Sequence, residues 1–171
     1  MVEKDFTADL IQGLIAQGAY AEKWPDGARG VKKPFDICAA FAGHFYPIEC
    51  KLRKFETEER LPTKTVVLSP ADFKGRKHQL PNLLKMQDQN QAKPFVAAFV
   101  LVEREFRQPL KFGWLIPVER LRTKDTWTLM EVIDKQNQLG LTWVPNIGWT
   151  VPWLPSADAN RLKETPCSSQ P

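Results

Sequence analysis

Apolar residues near the start of the chain recur at three- and four-residue steps, the spacing of one face of a helix. They are Phe6, Leu10, Ile11, Leu14 and Ile15, and Gly18 follows them as a residue that can end a helix. This pattern predicts a helix over residues 3–18.

Beyond a loop-like segment rich in glycine, proline and lysine at residues 23–34, short apolar runs predict strands. Residues 35–41 and 45–52 form two such runs, and the turn Ala42-Gly43-His44 between them predicts a hairpin. Residues 53–64 are charged and contain Pro62, so we expect an exposed loop there. The β-branched run at residues 65–68 predicts a third strand.

Helix and strand signals alternate in the second half of the chain. Ser69-Pro70-Ala71-Asp72 is typical of a helix start, and interruptions at Gly75 and Pro81 predict two short helices. We expect strands at residues 95–103 and 111–116, a helical turn at 117–121, and a helix at 128–139 that ends at Gly140. This order predicts an α/β or α+β chain with a central mixed sheet.

The composition is that of an ordinary soluble domain. The chain has 171 residues, of which 43% are hydrophobic and 26% charged, which predicts one domain with a tail. No apolar run has the length of a membrane span, and the first residues lack the pattern of a signal peptide, so we expect a cytoplasmic protein. Cys38, Cys50 and Cys167 have neither a pairing pattern nor metal-ligand spacing.

The net charge of +4 is concentrated in one part of the chain. Residues 23–54 contain seven basic and three acidic side chains, an excess of four that equals the charge of the whole protein. A second basic cluster follows at residues 74–78. A single cluster is usually a solvated surface, but two clusters around an acidic centre favour a polyanionic partner such as nucleic acid.

The predicted hairpin brings three charged side chains together. Because side chains alternate across a strand, Glu49 and Lys51 face the same side, and the hairpin can bring Asp36 beside Glu49. Two close carboxylates repel each other unless a cation lies between them, and Mg²⁺ is the usual cation in phosphate chemistry. The alternative is an ordinary surface aspartate and a surface Glu–Lys pair, a pattern that also occurs by chance.

Pro34-Phe35-Asp36 and the later Glu49-Cys50-Lys51 resemble the signature of the PD-(D/E)xK nucleases. That family has a core of helix, three-stranded meander, helix and strand. The resemblance implies an α/β, restriction-endonuclease-like core, with a central mixed sheet flanked by helices, over roughly residues 3–121. Within the family, the compact size and His78-Gln79 after the meander are similar to Holliday junction resolvases of the archaeal and RecU types.

The resemblance implies a role for each matching residue. Asp36 and Glu49, with the backbone carbonyl of Cys50, are expected to bind Mg²⁺, for which Mn²⁺ can substitute. Lys51 is expected to be the catalytic lysine. Gln79 is expected to help place the attacking water, a metal ligand or the scissile phosphate; the alternative is a solvated polar residue on a helix.

Two further groups of residues follow from the same resemblance. These resolvases carry a glutamate on their first helix, and Glu3 is its counterpart unless it is a frayed surface residue. Basic side chains around the site are expected to contact DNA: Arg29, Lys32, Lys33, Arg53, Lys54, Arg76, Lys77 and His78. For His78, the alternative to a DNA contact is a purely structural role.

The resemblance ends before the last part of the chain. We therefore expect a nuclease domain at residues 1–140 and a Trp- and Pro-rich extension with a polar tail at residues 141–171. Trp143, Trp149 and Trp153 lie in this extension. Burial is the ordinary role of such tryptophans, and stacking on nucleobases is the alternative.

The function expected from the resemblance is Mg²⁺-dependent hydrolysis of phosphodiester bonds in four-way DNA junctions by a homodimer. A four-way junction is two-fold symmetric, and a symmetric dimer offers one site to each of two opposing strands. The alternatives are another nuclease of the same family (restriction-like, repair or single-strand-specific) and a DNA-binding module without catalysis.

Overall fold

The computed structural model describes residues 2–25, 33–56, 65–69, 71–73, 79–89, 92–105, 107–124, 126–134 and 140–152. Within these ranges the helices are α1 (Glu3–Ala16), α2 (Gln79–Asp88), α3 (Leu129–Asp134) and a 3-10 helix (Val118–Leu121). None of these helices is both long and apolar enough to cross a membrane.

Five strands form the main sheet: β1 (Tyr20–Lys23), β2 (Ile37–Phe41), β3 (His44–Glu56), β5 (Phe95–Glu103) and β6 (Leu110–Pro117). Two small two-stranded sheets accompany it, one of β4 (Val66–Leu68) with β7 (Trp127–Thr128), the other of β8 (Thr142–Val144) with β9 (Gly148–Thr150).

The strand order of the main sheet is β1-β2-β3-β5-β6. The first three strands form an antiparallel meander, β3 and β5 are parallel, and β5 and β6 are antiparallel. This confirms the predicted central mixed sheet flanked by helices. The order α1, β1, β2, β3, α2, β5 is also the helix, meander, helix and strand arrangement of a restriction-endonuclease-like core.

The two faces of the sheet carry separate hydrophobic cores. On one face, α1 and the β8–β9 hairpin cover the sheet, and Phe6, Phe99 and Trp149 pack together, with ring centroids 5.0 to 6.0 Å apart. On the other face, the core includes Leu83 of α2 and residues of β4, β7, α3 and the 3-10 helix. Trp149 is therefore a core residue, whereas Trp143 remains 36% exposed.

Two glycines allow α1 and the β8–β9 hairpin to touch through their backbones. A Cβ atom on Gly13 would overlap the carbonyl oxygen of Trp149, and one on Gly148 would overlap the carbonyl oxygen of Asp9. Gly148 also has φ +105°, a conformation that favours glycine. At the end of α1, the Gln17 amide bonds the backbone N–H and C=O of Val151.

The structure differs from the predicted secondary structure in four places. The meander begins with β1, which was not predicted, and the run at residues 65–68 pairs with β7 instead of joining the main sheet. Strand β3 continues through residues 53–56, which were assigned to a loop, because they pair in parallel with β5. Pro81 lies in the first turn of α2 and does not interrupt it, since a proline there breaks no helical hydrogen bond.

Candidate active site

Asp36 and Glu49 lie beside each other on neighbouring chain segments. Strands β2 and β3 pair Ile37 with Ile48, and the Asp36 N–H donates to the Ile48 carbonyl oxygen at 3.0 Å. The Asp36 carboxyl group is near enough to Glu49 to raise the pKa of Glu49 through charge repulsion and a side-chain hydrogen bond. Asp36 is 9% exposed and Glu49 0% exposed, and the structure thus brings together the two carboxylates named from sequence.

The pairing of β2 with β3 ends at Ile37, and beyond it side-chain carboxylates accept hydrogen bonds from the backbone N–H groups of β3. The Cys50 N–H donates to Oδ2 of Asp36 at 2.9 Å, and the Leu52 N–H donates to Oε2 of Glu3 at 3.2 Å. Within an extended strand the N–H and C=O of one residue point to the same edge. The Cys50 carbonyl therefore lies on the same edge of β3 as the carboxylates of Asp36 and Glu3.

Glu49 is a carboxylic acid held in the interior. Its two oxygens accept hydrogen bonds from the Lys51 ammonium and from the Gln79 side-chain amide. Burial, followed by repulsion from Asp36, raises the pKa of Glu49 to about 8, although Lys51 acts in the opposite direction. Without a further cation, the side chain therefore keeps its proton at neutral pH.

Lys51 is held between the sheet and an aromatic ring. Its side chain is 14% exposed, and its ammonium donates a hydrogen bond to Glu49. The same ammonium lies 5.5 Å from the centroid of the Phe73 ring, within the range of a cation–π contact. The position of this charge is thus restricted by two groups.

Gln79 reaches the site from the first turn of α2 and is 3% exposed. Its side-chain nitrogen donates to Glu49, while its Oε1 is buried and has no hydrogen-bond partner among the described residues. A buried carbonyl oxygen without a partner is costly, and it is ready to accept a hydrogen bond from a water or another donor.

The donors at this site fit a hard divalent cation. Among the described residues, no three or more His, Cys, Asp or Glu side chains form a group suited to a metal ion. The donors that fit a metal ion include only two side chains, the carboxylates of Asp36 and Glu49, together with the backbone carbonyl of Cys50. All three are oxygen donors of the kind that Mg²⁺ and Mn²⁺ prefer. Such a cation would offset the unfavourable free energy of ionising Glu49, which its raised pKa reflects.

The basic residues predicted to contact DNA have different surroundings. Lys33 forms an ion pair with Asp36 at 3.1 Å, Arg53 forms one with Asp72 at 2.8 Å, and Lys54 is exposed. Lys33 therefore contacts a residue of the candidate site, and Arg53 contacts the turn at residues 69–73. Five others lie outside the described residues: Arg29, Lys32, Arg76, Lys77 and His78.

Sequence reasoning missed three residues beside the site, Ser69, Asp72 and Phe73. Residues 71–73 form a short 3-10 turn, and Asp72 accepts hydrogen bonds from the N–H and hydroxyl of Ser69 at 2.7 and 3.2 Å. The Ser-x-x-Asp spacing indicates such a turn. The contacts that this turn makes with β3 are long-range, and no local pattern signals them.

No protein-family model matches the chain, and no curated protein matches it. Among solved structures, the chain is similar to the 1.6 Å structure of Archaeoglobus fulgidus Hjc, described as a Holliday junction resolvase from an archaeal hyperthermophile. The TM-score is 0.42 and the identity 21%, over 76% of this chain and 89% of that chain. At that level the similarity carries no argument about activity, and the functional proposal rests on the site.

Proposed function

We propose that the protein is a metal-dependent endonuclease that hydrolyses phosphodiester bonds in DNA at the site of Asp36, Glu49 and Lys51. One observation carries the proposal: the buried side chains of Asp36 and Glu49 lie close enough for Asp36 to raise the pKa of Glu49, and the Lys51 ammonium contacts Glu49. A structural core has no need of two acids that repel each other, but a centre for phosphate hydrolysis does.

The metal in this proposal is Mg²⁺, for which Mn²⁺ can substitute, held by Asp36, Glu49 and the carbonyl of Cys50. A bound divalent cation polarises phosphoryl oxygens and lowers the pKa of a coordinated water. Asp36 is held for this task by the Cys50 N–H. Glu3, whose carboxylate accepts from the next free N–H of the same edge, adds negative charge beside the site.

Lys51 and Gln79 supply the remaining chemistry. The Lys51 ammonium, fixed by Glu49 and Phe73, lies where it can neutralise charge that develops on the phosphate during hydrolysis. The buried Oε1 of Gln79 can accept a hydrogen from the attacking water and so orient the water's lone pair towards phosphorus.

Four-way DNA junctions are the substrate that we favour, with a homodimer as the active form. The support is the motif resemblance to junction resolvases, namely Asp36, Glu49-Cys50-Lys51 and Gln79 after the meander. The local excess of positive charge at residues 23–54 also suits a crowded set of phosphates.

The test compares cleavage of a synthetic four-way junction, a flap, a linear duplex and a single strand, in Mg²⁺ and in EDTA. We expect paired symmetric nicks in the junction, an intact duplex, and no cleavage in EDTA. Equal cleavage of all substrates would support nuclease activity and refute the preference for junctions. DNA binding without cleavage in either Mg²⁺ or Mn²⁺ would instead identify a non-catalytic binding module.

Lys51→Ala is the variant that tests the site within this assay, and Lys85→Ala is its matched control. Lys85 is an exposed lysine of α2. We expect Lys51→Ala to lose cleavage by at least about a hundredfold, as for other groups that stabilise developing charge. Equal activity of the two variants would refute the role of Lys51.

A further inference from the structure

Strand β3 presents a third charged side chain on the face that carries Glu49 and Lys51. In the parallel register, these two residues and Arg53 pair with Val96, Ala98 and Val100, all of which lie in one hydrophobic core. Arg53 is thus the next side chain after Lys51 on that face, about 6.6 Å further along the strand. This step is comparable to the separation of neighbouring phosphates along one nucleic acid strand.

The guanidinium of Arg53 is fixed by a turn that is distant in sequence. Its Nη2 lies 2.9 Å from Oδ2 and 2.8 Å from Oδ1 of Asp72, and 3.3 Å from the hydroxyl of Ser69. The N–H and hydroxyl of Ser69 hold Asp72 in turn. The same turn carries Phe73, whose ring lies beside the Lys51 ammonium, so one structural unit fixes two neighbouring cations.

Arg53 also keeps hydrogen-bonding capacity that these contacts do not use. All its contacts with Ser69 and Asp72 run through Nη2, and its buried Nε has no partner among the described residues. Yet its side chain is 36% exposed. A guanidinium that is held on one side and accessible on another suits an anion with several acceptor oxygens, and a phosphate is the one that arginine recognises best.

We propose that Arg53 binds the DNA phosphate adjacent to the scissile one, with Asp72 and Ser69 as its positioning residues. The proposal deepens the proposed function and rests on it for the identity of the scissile phosphate. The Lys51 ammonium then lies at the reacting phosphate and the Arg53 guanidinium at its neighbour. Two fixed contacts along one DNA strand would set the register of that DNA strand over Asp36 and Glu49.

The test measures binding of a four-way junction in EDTA, where no cleavage occurs, over a series of salt concentrations. We expect Arg53→Ala to weaken binding and to reduce the slope of log K against log salt by about 0.7 to 0.9, the value for one lost phosphate contact. Arg122→Ala is the matched control, because Arg122 forms an exposed ion pair with Asp88. We expect that variant to keep the wild-type slope.

Single neutral methylphosphonates, placed in turn along the strand, locate the phosphate. At one position, next to the bond that wild-type protein cuts in Mg²⁺, the substitution should weaken binding by wild-type protein and leave Arg53→Ala unaffected. The proposal is overturned if Arg53→Ala keeps the wild-type slope, or if it responds to every methylphosphonate as wild type does. If wild type never cleaves but one position still couples to Arg53, the phosphate site stands and the proposed hydrolysis fails.

Asp72→Asn distinguishes positioning from a purely structural role. If Asp72 acts through Arg53, the variant should reduce the methylphosphonate effect in the wild-type background and change nothing further in the Arg53→Ala background. An equal effect of Asp72→Asn on binding in both backgrounds would refute its positioning role. Circular dichroism and the unfolding midpoint of each variant establish that the chain remains folded.

Discussion

Replacing Glu49 by Gln in metal-free protein should make folding less dependent on pH. The pKa of Glu49 is raised from 4.5 to about 8, first by burial and then by Asp36. Between these two values the folded protein keeps a proton that the unfolded chain has released. The free energy of unfolding therefore falls as pH rises through this window and levels off above about pH 8.

The size of the effect follows from the width of the window. Each pH unit inside it removes about 1.4 kcal/mol of stability, so wild type should lose roughly 2 to 3 kcal/mol between about pH 5 and about pH 7 relative to Glu49→Gln. The residue is 0% exposed, so solvent screening reduces the effect little.

The assay is denaturant unfolding in EDTA at a series of pH values, with Asp88→Asn as the matched control. Asp88 is an exposed carboxylate whose pKa is lowered by its hydrogen bond from Arg122. It is ionised in both states across the window, and its replacement should keep the wild-type slope. Identical pH slopes for wild type and Glu49→Gln would refute the raised pKa and the buried repulsion with Asp36.

Two further predictions concern parts of the fold away from the site. Gly13→Ala should destabilise the protein by roughly 1–3 kcal/mol in denaturant unfolding, because the new Cβ overlaps the Trp149 carbonyl. The control, Gln12→Ala on the exposed side of α1, should change stability by less than about 0.5 kcal/mol. Equal stabilities of the two variants would contradict the close approach of α1 and the hairpin. Hydrogen bonds from Lys124 and Thr128 lower the pKa of Glu131 to about 2. Glu131→Gln should therefore lower the thermal midpoint above about pH 4.5, and its midpoint should approach that of wild type as pH falls towards 2. A lower midpoint that persists at low pH would contradict stabilisation by the ionised Glu131.

The main residues of the candidate site could be named from sequence because they are local to one hairpin. Strand alternation assigns Glu49 and Lys51 to one face, and the hairpin of β2 and β3 brings Asp36, just before β2, beside Glu49. The remaining contacts depend on the tertiary fold. Gln79 reaches Glu49 across 30 residues and Asp72 reaches Arg53 across 19, and no local pattern specifies either distance in space.

The errors in the predicted fold have a common physical origin. Residues 53–56 are largely polar and were assigned to a loop, but pairing with the apolar strand β5 makes them a strand, since tertiary context overrides local propensity. Strand β1 has only four residues and lies at the sheet edge, so its pattern is too short to detect. The run at residues 65–68 was correctly identified as a strand, yet its sequence does not say which sheet it joins.

The most direct test of the central claim is single-turnover cleavage of a four-way DNA junction by Asp36→Asn beside wild type and Asp88→Asn, in Mg²⁺ and in Mn²⁺. Asp36→Asn keeps the size of the side chain that accepts from Cys50 and removes its negative charge. We expect cleavage by wild type and Asp88→Asn in either metal, and none by Asp36→Asn. Cleavage by Asp36→Asn at the wild-type rate would contradict a catalytic role for Asp36.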